Sequence, residues 1–67
     1  MYILKTKGMA KIPDYVQIRD EYFVLICHFR ADKPKLALEK QNFKKPIEEI
    51  IGIINELSFG LLTKVDM

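Results

Sequence analysis

The sequence predicts a small α+β domain with the element order βββααβ, in which two helices pack on one face of a largely antiparallel sheet. Two observations indicate this fold class. Apolar and polar residues alternate over residues 15–19 and precede an almost unbroken apolar run over residues 22–29, which is typical of a half-buried strand beside a strand covered on both faces. Further along, isoleucines recur at helical spacing from Ile47 onwards. We therefore expect a single domain over residues 1–67.

Three strands are expected ahead of the helices. Residues 2–12 alternate well enough to form the first strand, in which Gly8 fits a bulge or a close backbone approach. Residues 15–19 and 22–30 should form the second and third strands. The turn between them, at residues 20–21, lacks the glycine that two-residue hairpin turns prefer. We interpret the three strands as a meander.

The first helix should follow the third strand. Asp32 occupies a position where a helix N-cap is expected, and Pro34 falls in the first turn, where its missing N–H is not needed. The helix should continue to Gln41 and end near Asn42, because asparagine tolerates the left-handed conformation.

The second helix has the clearest pattern in the chain. It should begin after Pro46, with Glu48 and Glu49 in its first turn, where the helix dipole favours negative charge. Its apolar stripe consists of Ile47, Ile50, Ile51, Ile54 and Leu57. Gly60 ends the helix, and residues 61–65 alternate as a final strand.

Length and composition favour self-association. A chain of 67 residues, 49% of them hydrophobic, carries more apolar surface than a lone domain of this size easily buries. The single cysteine, Cys27, excludes an internal disulfide, so oligomerisation is the remaining common way to stabilise so small a core. We therefore expect a homodimer.

Charge and hydropathy limit the partners and the compartment. The net charge of +2 falls short of the strongly basic balance that by itself indicates nucleic acid. Lysines interrupt any apolar signal-peptide core near the N-terminus, and no uncharged stretch reaches the ~18 residues of a transmembrane helix. We expect a cytoplasmic protein with no membrane partner.

The chain contains few residues that could act in catalysis. Cys27 and His28 are its only cysteine and histidine, and successive side chains of a strand point to opposite faces, so the two cannot form a nucleophile–base pair. The same separation excludes a zinc site, and the three glycines are too far apart for a phosphate-binding loop. We expect no catalytic residue, no metal, no cofactor and no enzymatic activity.

One face of the predicted sheet combines residues that could bind a partner. The helices should cover the face formed by Val16, Ile18, Phe23, Leu25, Cys27 and Phe29. The opposite face is then the candidate interaction face, formed by Tyr15, Gln17, Arg19, Tyr22, Val24, Ile26, His28 and Arg30. The first strand should add Ile3, Lys5, Lys7 and Met9 to it.

Two kinds of partner fit this interaction face. Full burial of Val24 and Ile26 would gain roughly 1.5–3 kcal/mol each, which favours a protein partner, either a second copy of the chain or a larger enzyme of which it is an accessory subunit. The alternative is single-stranded nucleic acid, bound by Lys5, Lys7, Arg19, Arg30, Tyr15 and Tyr22. The lysines of the first strand could instead serve only to protect a sheet edge from aggregation.

Overall fold

Four strands and two helices follow one another in the predicted order. The computed structural model describes all residues 1–67. Its elements are β1 (Tyr2–Thr6), β2 (Tyr15–Arg19), β3 (Leu25–Arg30), α1 (Lys35–Glu39), α2 (Ile47–Glu56) and β4 (Thr63–Lys64). The α+β fold class and the order βββααβ are therefore confirmed, with both helices on one face of an antiparallel sheet.

The strands lie in the order β3-β2-β1-β4. β1 is therefore an interior strand, and β3 and β4 form the two edges. Tyr2 of β1 is paired with Lys64 of β4, and the Val65 N–H donates to the Met1 carbonyl oxygen at 2.8 Å. The first and last strands of the chain are thus neighbours in the sheet.

The hydrophobic core lies between the sheet and the two helices. Residues directly opposite each other in an antiparallel pair share a face, so the pairs Ile3–Ile18 and Val16–Phe29 place four buried side chains on the helix side. The buried core consists of Ile3, Val16, Ile18, Phe29, Leu38, Ile50, Ile54 and Met67. The predicted apolar stripe of α2 is confirmed, because two of its residues are buried and the other three pack against the core.

The hairpin between β2 and β3 differs from the prediction, because β3 begins at Leu25 rather than three residues earlier. The Asp20 carboxylate accepts hydrogen bonds from the N–H groups of Tyr22 and Val24, at 2.8 and 3.0 Å. The Phe23 N–H donates to the Asp20 carbonyl oxygen at 3.0 Å, and Phe23 has a left-handed φ of 66°. Asp20 therefore organises a longer turn than the sequence predicts.

A β-bulge follows this turn. Ile18 is opposite Cys27, whereas Arg19 is opposite Leu25, so Ile26 is an extra residue in β3. Because of this extra residue, the side chains before the bulge lie on the opposite face from the one that strict alternation would give them. Leu25 thereby shares a face with Arg19, away from the helices.

The predicted placement of Phe23 and Leu25 against the helices is consequently wrong. Their exposed fractions are 50% and 46%, and neither packs against the core. The prediction assumed strict alternation from residue 22 onwards, without the longer turn and without the bulge. It therefore assigned Phe23 and Leu25 to the wrong face. Cys27 and Phe29 lie beyond the bulge and face the helices as predicted.

β1 is shorter than predicted and has the opposite phase. It ends at Thr6, and a Cβ at Gly8 would overlap the carbonyl oxygen of Ile12, so a close backbone approach at this glycine is confirmed. Ile3 and Lys5 lie on the helix side, since they are opposite core residues of β2. Their predicted place on the interaction face is therefore wrong, and so is that of the exposed loop residues 7 and 9.

The ends of the remaining elements also differ from the prediction. Asp32 does not cap α1, because its carboxylate accepts two hydrogen bonds from the Arg30 guanidinium, at 3.0 and 2.9 Å. α1 ends at Glu39 and α2 at Glu56. Gly60 lies in the turn after α2 with a φ of 76°, and its N–H donates to a carbonyl oxygen of β1 at 2.7 Å. β4 has two residues instead of the predicted five.

Candidate binding face of the sheet

One face of the sheet is not covered by either helix. We call it the outer face, and its strand residues are Tyr2, Leu4, Thr6, Tyr15, Gln17, Arg19, Leu25, His28, Arg30 and Lys64. Each of them is opposite another member of the set in the strand register, and none is acidic. The outer face therefore combines aromatic, aliphatic and cationic side chains.

An aromatic cluster lies at the hairpin end of the outer face. The rings of Phe23 and Tyr2 meet edge to face with their centroids 5.8 Å apart. The Arg19 guanidinium is 5.1 Å from the centre of the Phe23 ring, and its Nη1 donates to the Phe23 carbonyl oxygen at 3.0 Å. Lys64 Nζ lies 6.0 Å from the centre of the Tyr2 ring. Phe23 thus extends the outer face although it belongs to the turn.

Phe23 has a backbone conformation that bulky residues rarely adopt. Its φ of 66° lies in the left-handed region, which costs about 1–3 kcal/mol for such a residue. The hydrogen bonds to Asp20 and the contacts with Tyr2 and Arg19 oppose that cost. Because half of the Phe23 side chain remains exposed, this strained aromatic residue marks a place where a partner would gain contact area.

A second cluster occupies the other end of the outer face. The rings of Tyr15 and His28 are 4.8 Å apart and inclined by 31°. Gln17 lies between the clusters, and its Oε1 accepts a hydrogen bond from Arg19 Nη2 at 3.2 Å. Arg19 therefore connects the two clusters through Gln17 and Phe23.

Arg30 and Asp32 form a paired charge at the edge of this second cluster. The hydrogen bonds and the charge of Asp32 raise the pKa of Arg30. In return, the Arg30 guanidinium lowers the pKa of Asp32. Arg30 therefore reaches the outer face with its charge partly neutralised.

The structure separates the cations that the sequence groups together. Lys5 Nζ donates to the Ile54 carbonyl oxygen at 3.2 Å, at the C-terminal end of α2, where the helix dipole favours positive charge. Lys7 lies beyond the end of β1, with its Nζ 5.8 Å from the centre of the Phe59 ring. Neither lysine belongs to the outer face, so their predicted alignment with the tyrosines along a nucleic acid is wrong.

Five of the eight predicted interaction residues share the outer face. These five are Tyr15, Gln17, Arg19, His28 and Arg30. Tyr22 and Val24 lie in the hairpin turn rather than in a strand, with exposed fractions of 88% and 58%. Ile26 is the extra residue of the bulge and is half-buried away from the core.

Sequence reasoning missed several residues of this surface. They are Tyr2, Leu4, Thr6, Phe23, Leu25 and Lys64. β1 has apolar residues on both faces, so alternation alone could not fix its phase. Aspartate often begins a turn, because its carboxylate accepts hydrogen bonds from backbone N–H groups that follow it. Asp20 was therefore a signal for a longer turn, and a longer turn would have placed Phe23 outside the predicted strand.

The residues with the most reactive side chains lie on opposite faces. Cys27 packs against the core, and burial raises the pKa of its thiol. His28 is exposed on the outer face beside Tyr15. No three His, Cys, Asp or Glu side chains are grouped so that they could hold a metal ion, and the surface has no pocket. Neither helix has the length and apolar composition needed to cross a bilayer.

The chemistry of the outer face is the basis on which a function can be proposed for this chain. Comparison of the chain with protein-family models, with curated proteins and with solved structures finds no match.

Proposed function

We propose that the protein is a small non-enzymatic binding domain of the cytoplasm whose outer face holds a protein partner. The observation that carries the proposal is the composition of this face: aromatic and aliphatic side chains lie beside cations, no strand residue on it is acidic, and the helices cover only the other face. Uncovered surfaces on which apolar side chains lie beside polar and cationic ones are typical of protein interfaces.

The apolar part of the outer face supports a protein rather than a small ligand. Tyr2, Leu4, Phe23 and Leu25 are neighbours at the hairpin end, and the last two are about half exposed. Covering such side chains contributes roughly 25 cal/mol for each Å² of apolar surface removed from water. A flat partner surface can cover them together. An accessory-subunit role, in which the partner is a larger enzyme, is one form of this proposal.

Single-stranded nucleic acid is the second candidate, and the Tyr15–His28 ring pair favours it. Bases stack on such rings, and Arg19 and Lys64 could meet phosphates on the same face. The cationic contribution is small, however, because Arg30 is paired with Asp32 and the net charge is only +2. We therefore rank nucleic acid below a protein partner.

Site-specific photo-crosslinking in the cells that produce the protein tests the proposal. A photoreactive phenylalanine analogue replaces Gln17, at the centre of the outer face, and a matched control carries it in place of Asn55, an exposed residue of α2. We expect protein adducts from position 17 only. The substitutions Phe23→Ala and Leu25→Ala, made beside the probe, should decrease them.

Each other outcome of this experiment has a defined meaning. Adducts that disappear on nuclease treatment would promote the second candidate. An adduct of twice the chain mass would identify a second copy as the partner on this face. Equal labelling from positions 17 and 55, or none from position 17, would contradict the proposal.

A further inference from the structure

We propose that the tip of the β2–β3 hairpin, residues 20–25, is a rigid apolar projection that enters a pocket of the partner protein, with Tyr22 as its anchor. The inference rests on the proposed protein partner and names the part of the chain that enters it. Four consecutive apolar residues of this hairpin tip are exposed: Tyr22, Phe23, Val24 and Leu25. An exposed apolar run of this length is unusual in a folded protein unless it has a function.

Hydrogen bonds hold the hairpin tip in one conformation before any partner binds. The N–H groups of Tyr22 and Val24 donate to the Asp20 carboxylate, and the Phe23 N–H donates to the Asp20 carbonyl oxygen. The Asp20 N–H closes the turn by donating to the Val24 carbonyl oxygen at 3.0 Å. The three consecutive N–H groups of residues 22–24 are therefore all bonded within the turn. A loop that is ordered in advance loses less conformational entropy when it binds.

Phe23 joins the hairpin tip to the sheet, whereas its two neighbours project into solvent. The Phe23 ring lies against Tyr2 and the Arg19 guanidinium. Tyr22 and Val24 are 88% and 58% exposed, and neither packs against the core. Tyrosine is common at the energetic centre of protein interfaces, because it supplies a large ring with only two side-chain torsions to fix. Tyr22 is therefore the residue of the tip with the most surface to bury in a partner.

The shape of the hairpin tip identifies the partner as a different protein with a pocket. A projecting side chain is buried most completely by a concave surface, and the surface of this chain has no pocket. A second copy therefore offers no cavity that Tyr22 could enter. Because a buried tyrosine hydroxyl usually forms a hydrogen bond, the pocket should be apolar with a polar group at its base.

The charges of the hairpin tip favour a protein pocket over phosphate groups. Residues 20–25 contain no lysine or arginine, which surfaces that bind nucleic acid or anionic lipid require. Both acids of the tip are engaged, because the Asp20 carboxylate bonds to the backbone and Glu21 is paired with the N-terminal amine at 3.0 Å. At the base of the tip, Arg19 Nη1 is bonded to the Phe23 carbonyl oxygen. The exposed part of the tip is thus an apolar surface with little uncompensated charge.

Photo-crosslinking from the hairpin tip, followed by an affinity measurement, tests the inference. The photoreactive phenylalanine analogue replaces Tyr22 in the cells that produce the protein. A matched control carries it in place of Ile12, an exposed apolar residue beyond the other end of β2. The protein in the adduct is identified by mass spectrometry and purified, and calorimetry measures its dissociation constant for the chain. The decisive quantity is the change of this constant in the variants.

The variants separate the Tyr22 ring, its hydroxyl and the order of the turn. Tyr22→Ala should weaken binding about 30-fold or more, and Tyr22→Phe about 2- to 10-fold. Asp20→Ala removes the acceptor of two turn N–H groups and should weaken binding about tenfold. Asp20→Asn keeps a side-chain oxygen as acceptor and should bind like wild type. The control Ile12→Ala should change the constant less than about threefold.

NMR relaxation of the free chain tests the order of the hairpin tip without a partner. The backbone order parameters of residues 22–24 should be about 0.85, the value of a rigid backbone. Values below about 0.6 would overturn the inference, because the tip would then not be held in advance.

The remaining outcomes separate this inference from the proposed function. Adducts from position 17, with a Tyr22→Ala variant that binds within about threefold of wild type, would overturn the role of the tip and leave the outer face as the binding site. Adducts from position 22 but none from position 17, together with the expected loss in Tyr22→Ala, would support the tip and contradict the outer face.

Four further results would overturn the inference. They are no adduct from position 22, an adduct of twice the chain mass, an adduct that disappears on nuclease treatment, and Tyr22-dependent sedimentation with vesicles of phosphatidylcholine and phosphatidylserine.

Discussion

Phe23 is the residue at which backbone preference and side-chain contact oppose each other most clearly. Its left-handed φ favours glycine, whereas its ring contacts Tyr2 and the Arg19 guanidinium. Removing the ring and relieving the backbone are separate changes, and two substitutions distinguish them. Alanine removes the ring and keeps most of the strain, while glycine removes both.

We expect Phe23→Gly to be more stable than Phe23→Ala by about 1 kcal/mol, because only glycine adopts positive φ without steric cost. The free energy of unfolding in urea measures the difference. Phe23→Ala should also be less stable than wild type, since it keeps most of the strain and loses an edge-to-face ring pair that contributes about 0.5–1.5 kcal/mol. An alanine variant equal to or more stable than the glycine variant would contradict the left-handed conformation.

The Arg30–Asp32 ion pair makes the stability of the fold depend on pH. The folded-state pKa of Asp32 lies below its ordinary value, so the pair stabilises the fold above pH about 4, and this contribution is lost as the pH falls through the lowered pKa. Asp32→Asn should therefore flatten the acid decline of stability in urea titrations. The change should be small because both groups are exposed.

Asp66→Asn is the matched control for this measurement. Asp66 is exposed and forms no ion pair. An Asp32→Asn variant whose stability declines with acid as steeply as that of the control would show that the pair does not contribute.

Among the elements, α2 holds the core together. Ile54 is 1% exposed and lies one turn from Ile50, against the buried side chains of the sheet. Ile54→Ala should cost ~2–5 kcal/mol and leave so small a domain largely unfolded near 37 °C. Thermal unfolding monitored by circular dichroism measures it, with Asn55→Ala as an exposed control. A loss below about 1 kcal/mol would mean that the stripe of α2 faces elsewhere.

Element by element, the sequence predicted what depends on local periodicity. α2 was predictable because its isoleucines repeat at helical spacing, and β2 because Val16 and Ile18 alternate with polar residues. The hairpin was not predictable in the same way, because the length of its turn depends on hydrogen bonds that the Asp20 carboxylate accepts from the backbone. One bulge residue, Ile26, then moved Leu25 to the other face. The assignment of half of the outer face therefore depended on the strand register, which cannot be predicted from the alternation of apolar and polar residues.

At the scale of the whole molecule, charge decides between the two candidate partners. We expect single-stranded DNA or RNA to bind no tighter than the nonspecific range of ~10⁻⁴ to 10⁻⁶ M at physiological salt, because the net charge is only +2. Fluorescence anisotropy at several salt concentrations measures the affinity and its log–log slope. A submicromolar affinity would promote nucleic acid over protein.

A matched pair of variants locates any such binding on the surface. Arg19→Gln should decrease the salt slope by about 0.7 if phosphates lie on the outer face. Lys5→Gln should not, because Lys5 bonds to the end of α2 on the other face. Equal effects of the two substitutions would place a nucleic acid elsewhere on the protein.

The adjacency of β1 and β4 has a consequence for the order of folding. Tyr2 and Lys64 are about 60 residues apart in the chain, and closing so long a loop costs ~3.6 kcal/mol from the length-dependent term alone. In exchange for this cost, β4 forms only a two-residue pairing with β1. The hairpin between β2 and β3, by contrast, closes over a short turn. In pulsed hydrogen exchange during refolding, the Asp20 amide should therefore become protected before that of Val65. The sheet would then grow from the local hairpin through β1 and be completed at the β4 edge.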